Sequence, residues 1–303
     1  MKNISVFIPT KDRPALFDLL LFTLKKYIKY PIQIYSYRYA TELVYEKYYQ
    51  DIEKRYNVKT LVQKIPNEKH YLTYLKHISL NSDYIITLTD DVLFYKEVDL
   101  QRIIEALESN KDSLAYSFRL SQNLVESKSL EKELIFIKSL SNNFYAYNYT
   151  PIIHHFNTLN FDEKGSIAHY TYPFELTASI YKVDFFKSIL DTLENFYSLH
   201  EIEFVGRRKT LQLYPNNCIL IDKYAQAFSI SWYGCVNNDK LIEPDEFGYL
   251  NKVKLKSCNF DLSSIENLNI VEDINKDCFL VPENVDFELF NNIKSIIENR
   301  TDE

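Results

Sequence analysis

The chain has 303 residues, enough for one large domain or two small ones with a sizeable core. Its 35 Lys and Arg are outnumbered by 42 Asp and Glu, and the formal charge of −7 has the wrong sign for a general nucleic-acid or anionic-membrane binder. Only 4 glycines occur, the first at Gly165, which excludes a Walker or GxGxxG phosphate loop from the first half of the chain.

Ile4 to Ile8 reads as a short buried strand closed by Pro9-Thr10. A helix follows from about Pro14 to Tyr27, with Leu16, Leu19, Leu20 and Leu24 facing inward. Ile32 to Tyr37 gives a second strand, and Thr41 can cap a helix in which Val44, Tyr48 and Ile52 repeat every fourth residue. Val58 to Val62 is a third strand, Asn67 caps a helix to about Leu80, and Tyr84 to Leu88 is a fourth strand. Asp99 caps the next helix, whose Leu100, Ile103, Ile104 and Leu107 share a face, and Ser113 to Phe118 is a fifth strand. Alternation at this spacing predicts βαβ units and an α/β fold with a mostly parallel sheet, whose ligands sit at the carboxyl ends of its strands.

Beyond residue 120 the alternation breaks down. Two helices are expected there, near Asp184 to Leu193 and from Phe287 to Glu298, and the absence of a repeat or linker predicts that residues 1–120 and 121–303 pack as a single unit. The cysteines, Cys218, Cys235, Cys258 and Cys278, form no CxxC pair and read as reduced thiols. No apolar run approaches the length of a membrane span, and the opening residues lack a signal-peptide core, so a cytoplasmic protein is expected.

The sharpest local signal is Thr89-Asp90-Asp91-Val92, where two carboxylates follow the fourth strand at the ligand edge of the sheet. Such a pair can hold Mg2+ or Mn2+ against the phosphates of a nucleotide, or it can be a solvated turn in which Asp caps the next segment. The paired His154-His155 is a poor metal site, because neighbouring side chains diverge on a helix or strand.

Together with Ile8-Pro9-Thr10-Lys11-Asp12-Arg13-Pro14, this site resembles the GT-A glycosyltransferases and is similar to those of family 2, which open with a comparable strand-Pro-Thr-x-x-Arg segment. Ser117 to Asn123, Tyr172 to Leu176 with Ile180-Tyr181, and Glu246 to Asn251 resemble segments of an uncharacterised bacterial subgroup. The resemblance implies a nucleotide-sugar-binding half over 1–120, with Pro9, Thr10, Asp12, Arg13 and Asp90 at the nucleotide, and an acceptor-binding half over 121–303. It implies Asp91 as metal ligand, with Asp90 as ribose or metal contact, and Mn2+ or Mg2+ as cofactor. Thr89 stands where the family's DxD pattern has its first Asp, and no histidine follows Glu203, where many members take a further ligand; His169 or His200, another group or water is left to complete the shell.

Inverting sugar transfer needs a carboxylate to deprotonate the acceptor hydroxyl. Glu203 matches the subgroup's recurring Leu-Glu best, Glu201 is the second candidate and Glu175 the reserve; the first two can equally lie on an exposed face. Arg207 and Arg208 follow closely enough to stabilise a leaving diphosphate, or form a solvated charged face, and Lys11 and Arg13 can approach the phosphates. Tyr145, Tyr147, Tyr149, Tyr170, Tyr172 and Trp232 offer flat faces to a sugar, although most of 25 tyrosines are expected in the core.

The function implied is metal-dependent transfer of a sugar from a nucleotide diphosphate to a hydroxyl of a glycan or glycolipid acceptor in bacterial surface polysaccharide synthesis. Any membrane contact is expected to be peripheral, at the inner face through Lys25, Lys26 and Lys29, with no nucleic-acid partner. The alternative is a non-catalytic nucleotide- or sugar-binding protein on the same scaffold. A nucleotidyltransferase is disfavoured by the missing glycine-rich loop, and Val92 after the Asp pair disfavours a phosphatase needing Asp-x-Asp.

Overall fold

In a computed structural model, the chain is described over residues 1–41, 43–64, 70–122, 137–140, 144–158, 170–193 and 198–229, with two-residue strands at 242–243, 254–255 and 260–261. The Asn67 cap, the helix over 287–298, the segment 246–251, His169, Trp232 and three of the four cysteines lie outside these residues.

The first half alternates as expected: β1 (Ile4–Lys11), α1 (Pro14–Tyr27), β2 (Gln33–Tyr39), α2 (Leu43–Tyr56), β3 (Lys59–Val62), α3 (Tyr71–Ser79), β4 (Tyr84–Thr87). A short β5 (Val92–Phe94) precedes α4 (Leu100–Ser109) and β6 (Ser113–Ser121). Pro at the first turn starts α1, and the Asp99 carboxylate accepts the Arg102 N–H to cap α4. The inward face of α2 is rotated from the expected one: Tyr45, Tyr49, Ile52 and Tyr56 are buried while Tyr48 is half-buried. Amphipathic tyrosines blur the stripe, since each can hide its ring and still find a partner for its hydroxyl.

The second half adds β7 (Ile137–Ser139), β8 (Phe144–Tyr147), α5 (Tyr149–Phe156), β9 (Ser179–Lys182), α6 (Val183–Asp191), α7 (Leu199–Leu213), β10 (Cys218–Asp222) and β11 (Ala227–Ser229). Nine strands form one sheet in the order β3-β2-β1-β4-β9-β6-β10-β8-β7. Only β8 and β9 run against the others, so the α/β class with a mostly parallel sheet is the one observed. Strand β1 is buried on both faces over seven residues, as a central parallel strand must be.

One apolar core packs α1, α2 and α4 on one face of the sheet, and a second packs α3, α5 and α6 on the other. Among the described residues no helix is long and apolar enough to cross a membrane. At the end of α1, Lys25 and Lys29 are exposed and Lys26 is half-buried.

Candidate functional site

The site is built where the carboxyl ends of β1, β2 and β4 meet. Thr10, near the end of β1, donates its hydroxyl to Asp90 Oδ2 at 2.8 Å, and Arg13 Nη1 reaches Asp90 Oδ1 at 3.1 Å. Tyr49 of α2 props this loop from below, its hydroxyl 2.8 Å from Thr10 Oγ1 and accepting the Arg13 N–H at 2.9 Å. Asp12 is fully buried at φ 53° and accepts from both the N–H and the hydroxyl of Thr41, so Arg13 turns to Asp90. Arg38 at the end of β2 is 2% exposed and ties α2 to the sheet through Glu46 and Glu53.

Asp90 and Asp91 are both buried. Burial, opposed by Arg13 and reinforced by the adjacent Asp91, pushes the Asp90 carboxyl up to about 6. Asp91 Oδ1 has no hydrogen-bond partner among the described residues, an arrangement that costs about 1–3 kcal/mol unless something occupies it. A hard divalent cation fits that oxygen, held by one or two carboxylates with phosphate and water completing the shell. Among the described residues no group of three or more His, Cys, Asp and Glu gathers to hold a metal; His154 and His200 are exposed.

A second station stands on the same edge. Because β9 runs against β4, with Thr87 opposite Ser179, the segment leading into β9 lies over the end of β4, and Thr87 Oγ1 donates to the Glu175 carbonyl at 3.2 Å. Helix α7 lies against this segment through Gly206. Ser198 and Glu201 form a reciprocal cap at its start, which places Glu201 at the exposed end. Glu203 turns the other way and accepts the Leu176 N–H at 2.6 Å. Burial pushes its carboxyl up to about 7, with Glu175 raising it further and Arg119 opposing. Arg207, one turn on, is half-buried with its guanidinium 4.7 Å from the Tyr172 ring centre, whereas exposed Arg208 lies over Phe204. The other aromatic candidates divide: Tyr147, Tyr149 and Tyr170 are core residues and Tyr145 is half-buried.

A Cβ on Gly206 would lie 2.4 Å from Phe174 Cδ1, and Phe174 is itself fully buried and stacked on Phe186. Gly206→Ala is therefore expected to cost about 1–3 kcal/mol and to lower the melting temperature by several degrees in a thermal unfolding scan.

Tyr49 and Thr41 were not visible as site residues in the sequence, and neither was the pairing of Glu175, the reserve base candidate, with Arg119, because each acts through a partner tens of residues away.

No family model matches the chain. Over 49% of its length it is 21% identical to the bifunctional glycosyltransferase pgtA of Dictyostelium discoideum, and it spans 20% of that protein. The chain is similar to glycosyltransferases. Among solved structures it is similar to S. aureus TarS, at 13% identity and TM-score 0.47 over 76% of this chain and 37% of that one. It is also similar to glucosyl-3-phosphoglycerate synthase from Mycobacterium tuberculosis, crystallised with Mn2+, UDP-glucose and phosphoglyceric acid, at 9% identity and TM-score 0.41 over 71% of this chain and 66% of that one.

Proposed function

We propose that the chain is a glycosyltransferase that moves a sugar from a nucleotide diphosphate to an acceptor hydroxyl. The observation that carries this reading is the buried Asp91 Oδ1, unpartnered among the described residues, beside Asp90 on the sheet edge that also bears Glu203. The likeness to a curated glycosyltransferase supports it. Residues 1–120 take the donor, with Pro9, Thr10, Asp12 and Arg13 shaping the nucleotide side, and residues 121–303 take the acceptor.

Asp91, with Asp90 beside it, would hold Mn2+ or Mg2+, and the bound ion would supply positive charge to the donor's diphosphate. Arg13 holds Asp90 in place from the first loop. Glu203 takes the proton from the acceptor hydroxyl as its oxygen bonds to the anomeric carbon from the face opposite the diphosphate. The carbon–oxygen bond to the diphosphate breaks, its electron pair leaves with the nucleotide, and the anomeric configuration inverts. Arg207 stands one turn from Glu203, within reach of negative charge gathering there, and Arg208 contributes from the solvent side. A glycan or glycolipid of the bacterial surface is the proposed acceptor.

The test is thermal stability of the purified protein with UDP, GDP, CMP and their sugars, each with and without Mn2+. A ligand at a hundred times its dissociation constant adds about 2.7 kcal/mol, so one nucleotide with metal should raise the melting temperature by a few degrees. No shift with any of them would overturn the reading. The engagement of Asp90 by Thr10 and Arg13, with Thr89 before it, favours a second reading, a binding protein without turnover. A metal-dependent shift with neither transfer nor hydrolysis would select it.

A further inference from the structure

A buried ion pair stands behind Glu203. Arg119 on β6 and Glu175 before β9 are 6% and 4% exposed, and the guanidinium donates to Glu175 Oε2 through Nε at 3.2 Å and through Nη2. Glu175 Oε1 accepts from Ser179 Oγ at 2.8 Å and from Ser117 Oγ at 3.5 Å. Its backbone is fixed as well: the N–H donates to the Tyr181 hydroxyl at 2.8 Å, and that hydroxyl lies 2.7 Å from the Glu175 carbonyl. The next N–H, of Leu176, is the one that holds Glu203, and two residues later Ala178 sits at φ 51°, a strained value for a residue with a Cβ.

A carboxylate with both oxygens engaged in this way is not free to take a proton from a substrate, which sets Glu175 apart from Glu203. As a stabilising device a buried ion pair is inefficient, because desolvation offsets most of its attraction and apolar residues of similar volume serve as well. We propose that Arg119 and Glu175 are positioning residues: Arg119 locks Glu175, and the locked turn presents the Leu176 N–H that aims the Glu203 carboxylate. The inference rests on the role assigned above to Glu203.

Glu175, Arg119 and Tyr181 act on this carboxylate from the sheet side, and Tyr147 faces the ion pair; Arg207 follows one turn along the helix that bears Glu203 and lies over Tyr172. Tyr147 and Tyr181 are held neutral by burial. The Leu176 N–H bond favours the ionised form of Glu203, so a turn that loses its lock while the neighbouring charges stay in place should raise the Glu203 midpoint.

The experiment follows the Glu203 carboxyl directly by NMR in protein carrying 13C-labelled glutamate, with Glu203→Gln identifying the signal. In Arg119→Lys the charges near Glu203 are kept while the turn loses its lock, so the Glu203 midpoint should rise by about one pH unit, and the acidic limb of the kcat profile should rise with it while the donor KM stays within about twofold. A folded Arg119→Lys protein with an unmoved midpoint overturns the proposal. Arg119→Lys, which keeps the charge and loses the planar fork, should lower kcat about tenfold at unchanged donor KM; unchanged kcat there also overturns it. A midpoint that moves in a protein with no transferase activity leaves the positioning intact and removes the catalytic reading instead.

Discussion

Asp91→Ala is expected to abolish the metal-dependent response to nucleotide and to lower transfer by about a thousandfold or more, while the fold survives. The magnitude follows from the several kcal/mol that a bound cation contributes against diphosphate charge. Fold survival follows from the environment: Asp91 is 6% exposed and Oδ1 has no partner among the described residues, so the carboxylate is a cost to the protein in the absence of a ligand. The variant should melt no lower than the parent protein without metal, and the two should diverge once Mn2+ and the cognate nucleotide are added. Thermal unfolding with and without both, beside a transfer assay, checks each half. A variant that melts far below the parent without metal would mean that the carboxylate is structural.

Glu203→Gln should lower kcat by about 10²- to 10⁴-fold, the usual contribution of a positioned proton acceptor, with donor KM little changed. In the parent protein the base must be ionised, so kcat should rise with pH through about 7 and level off above it. Stability has the opposite sign. The folded carboxyl sits above its unfolded value of about 4.3, so the folded state binds the extra proton between these two values and stability falls as pH rises through that window. Glu203→Gln removes the penalty: it should melt higher than the parent at pH 8 and close to it at pH 4. Equal melting at both values, with kcat unaffected, would place Glu203 outside the chemistry.

Local signals made the first half of the chain legible. Pro14 and the leucines after it define α1, Asp99 and its i, i+3, i+4 stripe define α4, and the continuous apolar runs of β1 and β4 mark buried parallel strands. Thr89-Asp90-Asp91 stood out because charge follows directly on such a run. Helix α7 was less legible: Glu201, Glu203, Arg207 and Arg208 give it little apolar stripe, and its buried face rests on Ile202, Gly206 and Thr210. Strand β9 is four residues long and runs directly into α6, which leaves it little pattern of its own. The pairing of Arg119 with Glu175 spans 56 residues and leaves no periodic trace, so only the folded chain brings it into view.

The short ribbon of β5 and β11 bears on how the molecule comes into being. Ser229 pairs with Val92, the residue after Asp91, and the Tyr95 hydroxyl reaches the Ala225 carbonyl across 130 residues of sequence. A nascent chain emerging amino terminus first has its Asp90–Asp91 loop synthesised well before the strand that clasps it. Closing so long a loop carries an entropic cost before any contact rewards it, so this corner belongs among the last to consolidate. An amino-terminal fragment ending near residue 120 would therefore leave the β5 edge unpaired and open to association with another chain.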